Sequence, residues 1–212
     1  RAAKKGVIEG SSLARGFAWL RPNDLIWNYV INNYLLGDDP PAFDILFWNA
    51  DATNLSSALM GDFLELFEAN AYAAPGTFEI AGHTLDLTKV TGDLFVLGGT
   101  TDHITPWRAC YRSTQLFGSK NVEFILSQAG HMQAILNPPG NPKAKYWKHS
   151  KGKTPADVGE WMKGTEEVAG SWWPYWMEWL HARSGKEVAA PATLGSKAYP
   201  AMEAAPGLYV LE

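Results

Sequence analysis

The sequence predicts an α/β fold in which a parallel pair of strands carries the chemistry and a mostly helical, aromatic segment precedes it. Three observations lead there. Leu94-Phe95-Val96-Leu97 is a short apolar run that ends in Gly98-Gly99 and releases the chain into Thr100-Thr101-Asp102-His103-Ile104-Thr105-Pro106-Trp107, a buried strand with an acid on its exit loop. Val122 to Leu126 is a second buried strand, leading into Gln128-Ala129-Gly130-His131. Between the two, Pro106 opens a helix that runs to about Leu116, with Gly118 placed to close it. Parallel strands joined by a helix put both exit loops on one sheet edge.

Asp102 and His131 are 29 residues apart, about the length that one helix and one strand with their loops require. An acid followed by a histidine, each just beyond a parallel strand, matches the last two members of the nucleophile, acid, histidine order of α/β-hydrolases. In such a pair the acid holds one imidazole nitrogen and stabilises imidazolium, leaving the other nitrogen free as general base. An exit-loop Asp also caps helices, and a Gly-His pair also serves structure, so spacing alone leaves both readings open.

Composition bounds the remaining possibilities. The 212 residues are 46% hydrophobic and 19% charged, which suits a globular chain with one good core or two small ones. A net charge of −4 gives no basic excess for nucleic acid or anionic lipid. There is no transmembrane run, signal peptide or lipidation motif in the sequence. The single cysteine rules out an internal disulfide framework, fits a reducing compartment and makes cytoplasm the expected location. Arg1 to Gly6 carry no initiator Met and Leu211-Glu212 resembles a cloning scar, so the chain is expected to be a fragment.

Element by element, Gly6 to Leu36 has helical spacing through Phe17, Leu20, Leu25, Ile26, Tyr29, Val30 and Leu35, with Gly37 as its stop. Pro22 breaks it, and Asn23 or Asp24 restarts it. Trp19, Trp27, Tyr29 and Tyr34 are expected in a core, because large aromatics dominate burial. Phe43 to Trp48 reads as a strand and Asn49 to Asn54 as a polar loop. Leu59 to Tyr72 returns to helical spacing and stops at Pro75-Gly76. Phe78 and Ile80 face Leu85 and Leu87 across Ala81-Gly82, the pattern of a β-hairpin. The composition shifts near Lys89, which is the expected boundary.

Beyond the boundary, Gly98-Gly99 lacks the rest of a phosphate-binding fingerprint and is expected to form a tight turn beneath Asp102. Cys110 falls inside the predicted helix, where a cysteine behaves as a small buried hydrophobe. Lys143 to Lys153 is basic with Tyr146 and Trp147 interleaved, read either as a solvated loop or as a patch for phosphates. Pro155 to Met162 is expected to be helical. Ser171 is expected to cap a helix whose Trp172, Trp176 and Trp179 share one face docked on the core, closed by Ser184-Gly185. The tail from Val188 reads as extended. The five histidines show no metal-ligand spacing and one cysteine cannot build a zinc knuckle, so no metal and no cofactor are expected.

Longer stretches add a resemblance. The runs from Arg21 to Leu35 and from Phe43 to Leu55, together with Asp102 to Trp107, Gly130-His131 with Asn137-Pro138-Pro139, and Gly170 to Pro174, closely resemble polyhydroxyalkanoate synthases over nearly the whole chain. The resemblance implies a partial α/β-hydrolase fold with a mostly helical cap subdomain, the cap at 1–89 and the C-terminal part of the core at 90–212. It also implies a Cys–Asp–His triad that polymerises 3-hydroxyacyl-coenzyme A into polyester. Asp102 matches the family's catalytic Asp and His131 its general base. His103 and Trp48 are the residues expected to bind substrate; against this for His103 stands the rule that neighbours leaving a strand point opposite ways, which would turn it from the direction of Asp102. A homodimer at the surface of cytoplasmic polyester granules completes the expectation.

The nucleophile has no counterpart. The family's cysteine sits on a Gly-x-Cys-x-Gly elbow, and neither Cys110 nor Ser113 nor Ser127 has such a frame. The chain is therefore expected to hold the acid and the base without the group they activate, and to be inactive alone. Two alternatives stand beside this reading: a non-catalytic dimerisation or interaction module, and an α/β-hydrolase that cleaves esters.

Overall fold

A computed structural model describes residues 6–20, 22–40, 52–149, 154–204 and 207–208. Contacts divide the chain into two compact units, one built from residues up to Glu68 together with those from Ala190, the other from Ala69–Ala189.

In the first unit β1 (Val7–Ile8) pairs antiparallel with β2 (Leu55–Ser56). α1 (Gly10–Leu20) starts where the Asn54 side chain accepts the Gly10 N–H at 2.9 Å. Gly10 is required there, because a Cβ would lie 2.8 Å from that of Ala52. Pro22 opens the next helical stretch, whose segments Asn23–Trp27 and Val30–Leu35 are wound as π-helix, and Gly37 at φ +75° ends it. The Ser56 hydroxyl accepts the Leu59 N–H at the head of α2 (Ser57–Glu68). Trp19, Trp27 and Tyr34, expected in a core, are exposed, Tyr34 to 84%, and Tyr29 is half-buried. Among the described residues the unit's two-residue strands give these helices no broad sheet face to bury against. The predicted strand at Phe43 to Trp48 lies outside the described residues.

The second unit begins with a 3₁₀ turn at Ala71–Ala73 and the expected hairpin, β3 (Glu79–Ile80) and β4 (His83–Thr84). Ala81 at φ +50° and Gly82 at φ +77° form its two-residue turn, and positive φ at both positions matches the right-handed twist of the strands. The main sheet has four strands in the order β5 (Leu94–Gly99), β6 (Val122–Ser127), β7 (Lys145–His149), β8 (Thr165–Ala169). β5 and β6 are parallel over six residues, Leu94 opposite Val122 through Gly99 opposite Ser127, and β7 and β8 add antiparallel.

Alternation along β6 builds a core on each face. Phe124 and Leu126 pack with Tyr111 of α3 (Trp107–Ser113) and the fully buried Trp161 of α5 (Val158–Lys163). Ile125 packs on the opposite side with Tyr146 and Trp172, against α6 (Trp173–His181). Phe95 of β5 centres that second face, 6.0 Å from Trp172, 6.2 Å from Tyr175 and 5.5 Å from Trp179 between ring centroids. The tryptophan face of α6 thus docks on the sheet as its spacing predicts. Asp93 anchors the far end, accepting from Arg183 Nε at 2.8 Å and Asn121 Nδ2 at 2.8 Å.

The basic run is not a loop where it is described. Lys145–His149 is β7, with Tyr146 facing one core and Trp147 the other, while Lys145 and Lys148 pair with Glu167 and Glu166 of β8. β8 itself had no sequence signal. Among the described residues no helix is long and apolar enough to cross a membrane.

Candidate active site

β5 and β6 end side by side, and the Thr100 N–H continues their ladder by donating to Ser127 O at 2.9 Å. The chain then turns at Asp102. Its Oδ1 accepts the backbone N–H groups of Ile104 and Thr105, both at 2.9 Å, and its Oδ2 accepts the Thr105 hydroxyl at 2.7 Å. The remaining bond is to His131 Nδ1, at 2.9 Å from Oδ2. Asp102 therefore folds its own loop ahead of α3 and also meets the histidine, so one side chain makes both of the contacts weighed on sequence.

The Asp102 side chain is only 6% exposed. Burial alone would raise its pKa, but the Thr105 N–H, the Thr105 hydroxyl, His131 and the Ile104 N–H together outweigh it and hold the carboxyl at about 2. An ionised carboxylate only accepts hydrogen bonds, so in a neutral ring Nδ1 of His131 carries the proton and Nε2 the lone pair. Among the described residues Nε2 has no hydrogen-bond partner, and the side chain is 36% exposed.

His131 is the first residue of α4 (His131–Ile135). Before it the chain is tied to the Asp loop twice, by Ala129 N–H to Thr100 Oγ1 and by Thr101 N–H to Ala129 O, each at 3.2 Å. Ala129 is held at φ +137°, a region that alanine rarely visits and that costs on the order of 1–3 kcal/mol. Gly98 and Gly99 do not form the expected turn. Both are buried strand residues, because a Cβ on Gly98 would press on Trp107 and Phe124, and one on Gly99 would lie 2.8 Å from Ala129 O and 2.9 Å from Ala134 Cβ. Their absent side chains let the two loops approach.

His103 is exposed in the loop beside Asp102, and Trp48 lies outside the described residues. Cys110 is half-buried in α3 against the Tyr111 and Trp161 cluster, with Sγ 3.5 Å from Thr105 O. Burial, then the charge of Asp102, pushes its thiol up, which disfavours the nucleophilic thiolate. Thr100 and Thr105 were missed as supports of the pair. The Asp-x-x-Thr spacing before Pro106 is the local signal that could have found Thr105. Among the described residues no three His, Cys, Asp or Glu side chains gather as a metal site.

A family model described as alpha/beta hydrolase fold matches residues 1–138, a stretch that takes in both Asp102 and His131. The chain belongs to the α/β-hydrolase family. It is similar to two proteins of Ectopseudomonas oleovorans: poly(3-hydroxyalkanoate) polymerase 1, 53% identical over 98% of this chain and 36% of the relative, and polymerase 2, 51% identical over 100% and 37%. It is also similar to the poly(3-hydroxyalkanoate) polymerase subunit PhaC of Cupriavidus necator, 41% identical over 96% of this chain and 34% of the relative. The chain spans about a third of the length of these curated relatives.

Proposed function

We propose that this chain supplies the acid and base of a polyester synthase that moves 3-hydroxyacyl groups from coenzyme A to a growing polyhydroxyalkanoate chain. The single observation that carries the proposal is the Asp102–His131 bond at the shared edge of two parallel strands. His131 Nε2 takes the proton of a cysteine thiol supplied from outside these 212 residues, which contain no Gly-x-Cys-x-Gly elbow. The thiolate attacks the thioester carbonyl, the tetrahedral intermediate collapses, and coenzyme A leaves as its thiol after receiving the proton from His131. Asp102 stabilises the imidazolium formed between those steps. In the second half of the cycle the pair activates the 3-hydroxyl of the next unit. His103 and Trp48 contact the substrate in this reading, residues 1–89 act as a cap, and the assembled enzyme is a homodimer at the granule surface.

The test is a chimera in which this chain replaces the matching segment of the 53% identical polymerase 1. Release of coenzyme A from 3-hydroxybutyryl-coenzyme A with polymer formation is expected, and His131→Ala should lower turnover by about a thousandfold or more. Polymer formation that survives His131→Ala would refute the assignment. Hydrolysis without polymer would favour the esterase alternative.

A further inference from the structure

α4 is too short to hold itself, since a five-residue helix gains little from its own hydrogen bonds, and the carbonyls of its last turn need outside partners. Ile135 O accepts the Asn137 N–H at 3.0 Å, and the partners from a distant segment come from one tripeptide. Trp172 Nε1 donates to Ala134 O at 2.8 Å, Trp173 Nε1 donates to Ile135 O at 3.0 Å, and the Ser171 hydroxyl donates to Asn137 O just beyond. The same hydroxyl accepts the Trp173 N–H at 3.0 Å, so the three residues form one bonded unit.

We propose that Ser171, Trp172 and Trp173 are positioning residues for His131, a clamp that fixes the C-terminal end of its helix to the sheet. The Trp172 ring is 7% exposed and packs on Phe95, in the strand that delivers Asp102, and on Ile125, in the strand that delivers His131. One rigid aromatic contact therefore refers the His helix to the same two strands whose ends hold the acid. The strained Ala129 fixes where α4 begins, and the clamp fixes where it ends. Without the second constraint the helix can pivot about Gly130, and a swing of His131 by 1 Å would break a 2.9 Å bond to Asp102. The importance of the clamp rests on the reading of His131 as general base, whereas its existence does not.

The test uses this chain and reads exchange of the His131 Nδ1 proton by nitrogen-15 NMR, independently of turnover. Trp173→Phe keeps a ring but loses the donor, Trp172→Phe does the same at the buried position, and Trp176→Phe is the control on the same helix. Exchange should accelerate several-fold in Trp173→Phe and more in Trp172→Phe, and stay within twofold of the parent in Trp176→Phe. If Trp172→Phe fails to fold, the half-buried partner Trp173→Phe decides alone. Unchanged exchange in Trp173→Phe, or an equal acceleration in Trp176→Phe, would overturn the clamp. An inactive chimera with intact clamp behaviour would count against the synthase reading only.

Discussion

Asp102 carries four hydrogen bonds on two oxygens, and this saturation separates what its replacements would do. Asp102→Asn keeps the volume but turns an amide donor either toward the Ile104 and Thr105 N–H groups or toward His131, so either the loop or the Nδ1–H tautomer loses its acceptor. In the chimera this should lower kcat by about a thousandfold with a much smaller change in KM. The pKa of Asp102 is depressed in the folded state, from 3.8 to about 2. The stability it contributes is therefore fully present above pH 3.8 and is lost as pH falls through 2. Denaturant melts should show parent and Asp102→Asn separated at pH 5, with the gap closing toward pH 2. A gap that widened on acidification would contradict that sign. Gly99→Ala tests the approach of the loops: its Cβ meets a carbonyl at 2.8 Å, and a loss of about 2 kcal/mol with a weakened Asp102–His131 bond is expected by calorimetry and NMR.

Elements differ in how openly the sequence declares them. β5, α3 and β6 were legible because a doubly covered parallel strand is a continuous apolar run bounded by glycine or polar residues. The hairpin at Ala81-Gly82 was legible for its turn chemistry, and there Ala81→Asn should stabilise by about 0.5–1 kcal/mol, since asparagine tolerates positive φ better than alanine. A lower melting temperature in that variant would show that the turn is not of this type. β7 and β8 were hidden because their charges, which suggest a solvated loop, are cross-strand partners: Lys145 with Glu167 at 3.0 Å and Lys148 with Glu166 at 3.4 Å. Such half-exposed pairs contribute little, so a Lys145→Ala, Glu167→Ala double-mutant cycle should give a coupling below about 1 kcal/mol. What holds these strands is aromatic. The α6 tryptophans were read correctly as docking, but that Trp172 and Trp173 also donate to the His131 helix depends on a loop meeting it from 38 residues away, which no local pattern encodes.

At the scale of the whole molecule, the meeting of Asp102 and His131 was legible from order and spacing, while the exposure of Trp19, Trp27 and Tyr34 was not, because burial depends on what covers a helix and not on its period. Exposed aromatics of that size, and a β5 that ends the sheet order among the described residues, lead to an expectation of concentration-dependent self-association in sedimentation experiments. A monomer across the micromolar range would argue against it. The parallel register of β5 and β6 has one more effect. Side chains alternate faces along a strand, so a slip of one residue would move the Asp loop by about 3.3 Å and turn Phe95 away from Trp172. A misregistered chain would not bring Asp102 and His131 together at all, so an error of register abolishes their contact outright instead of loosening it.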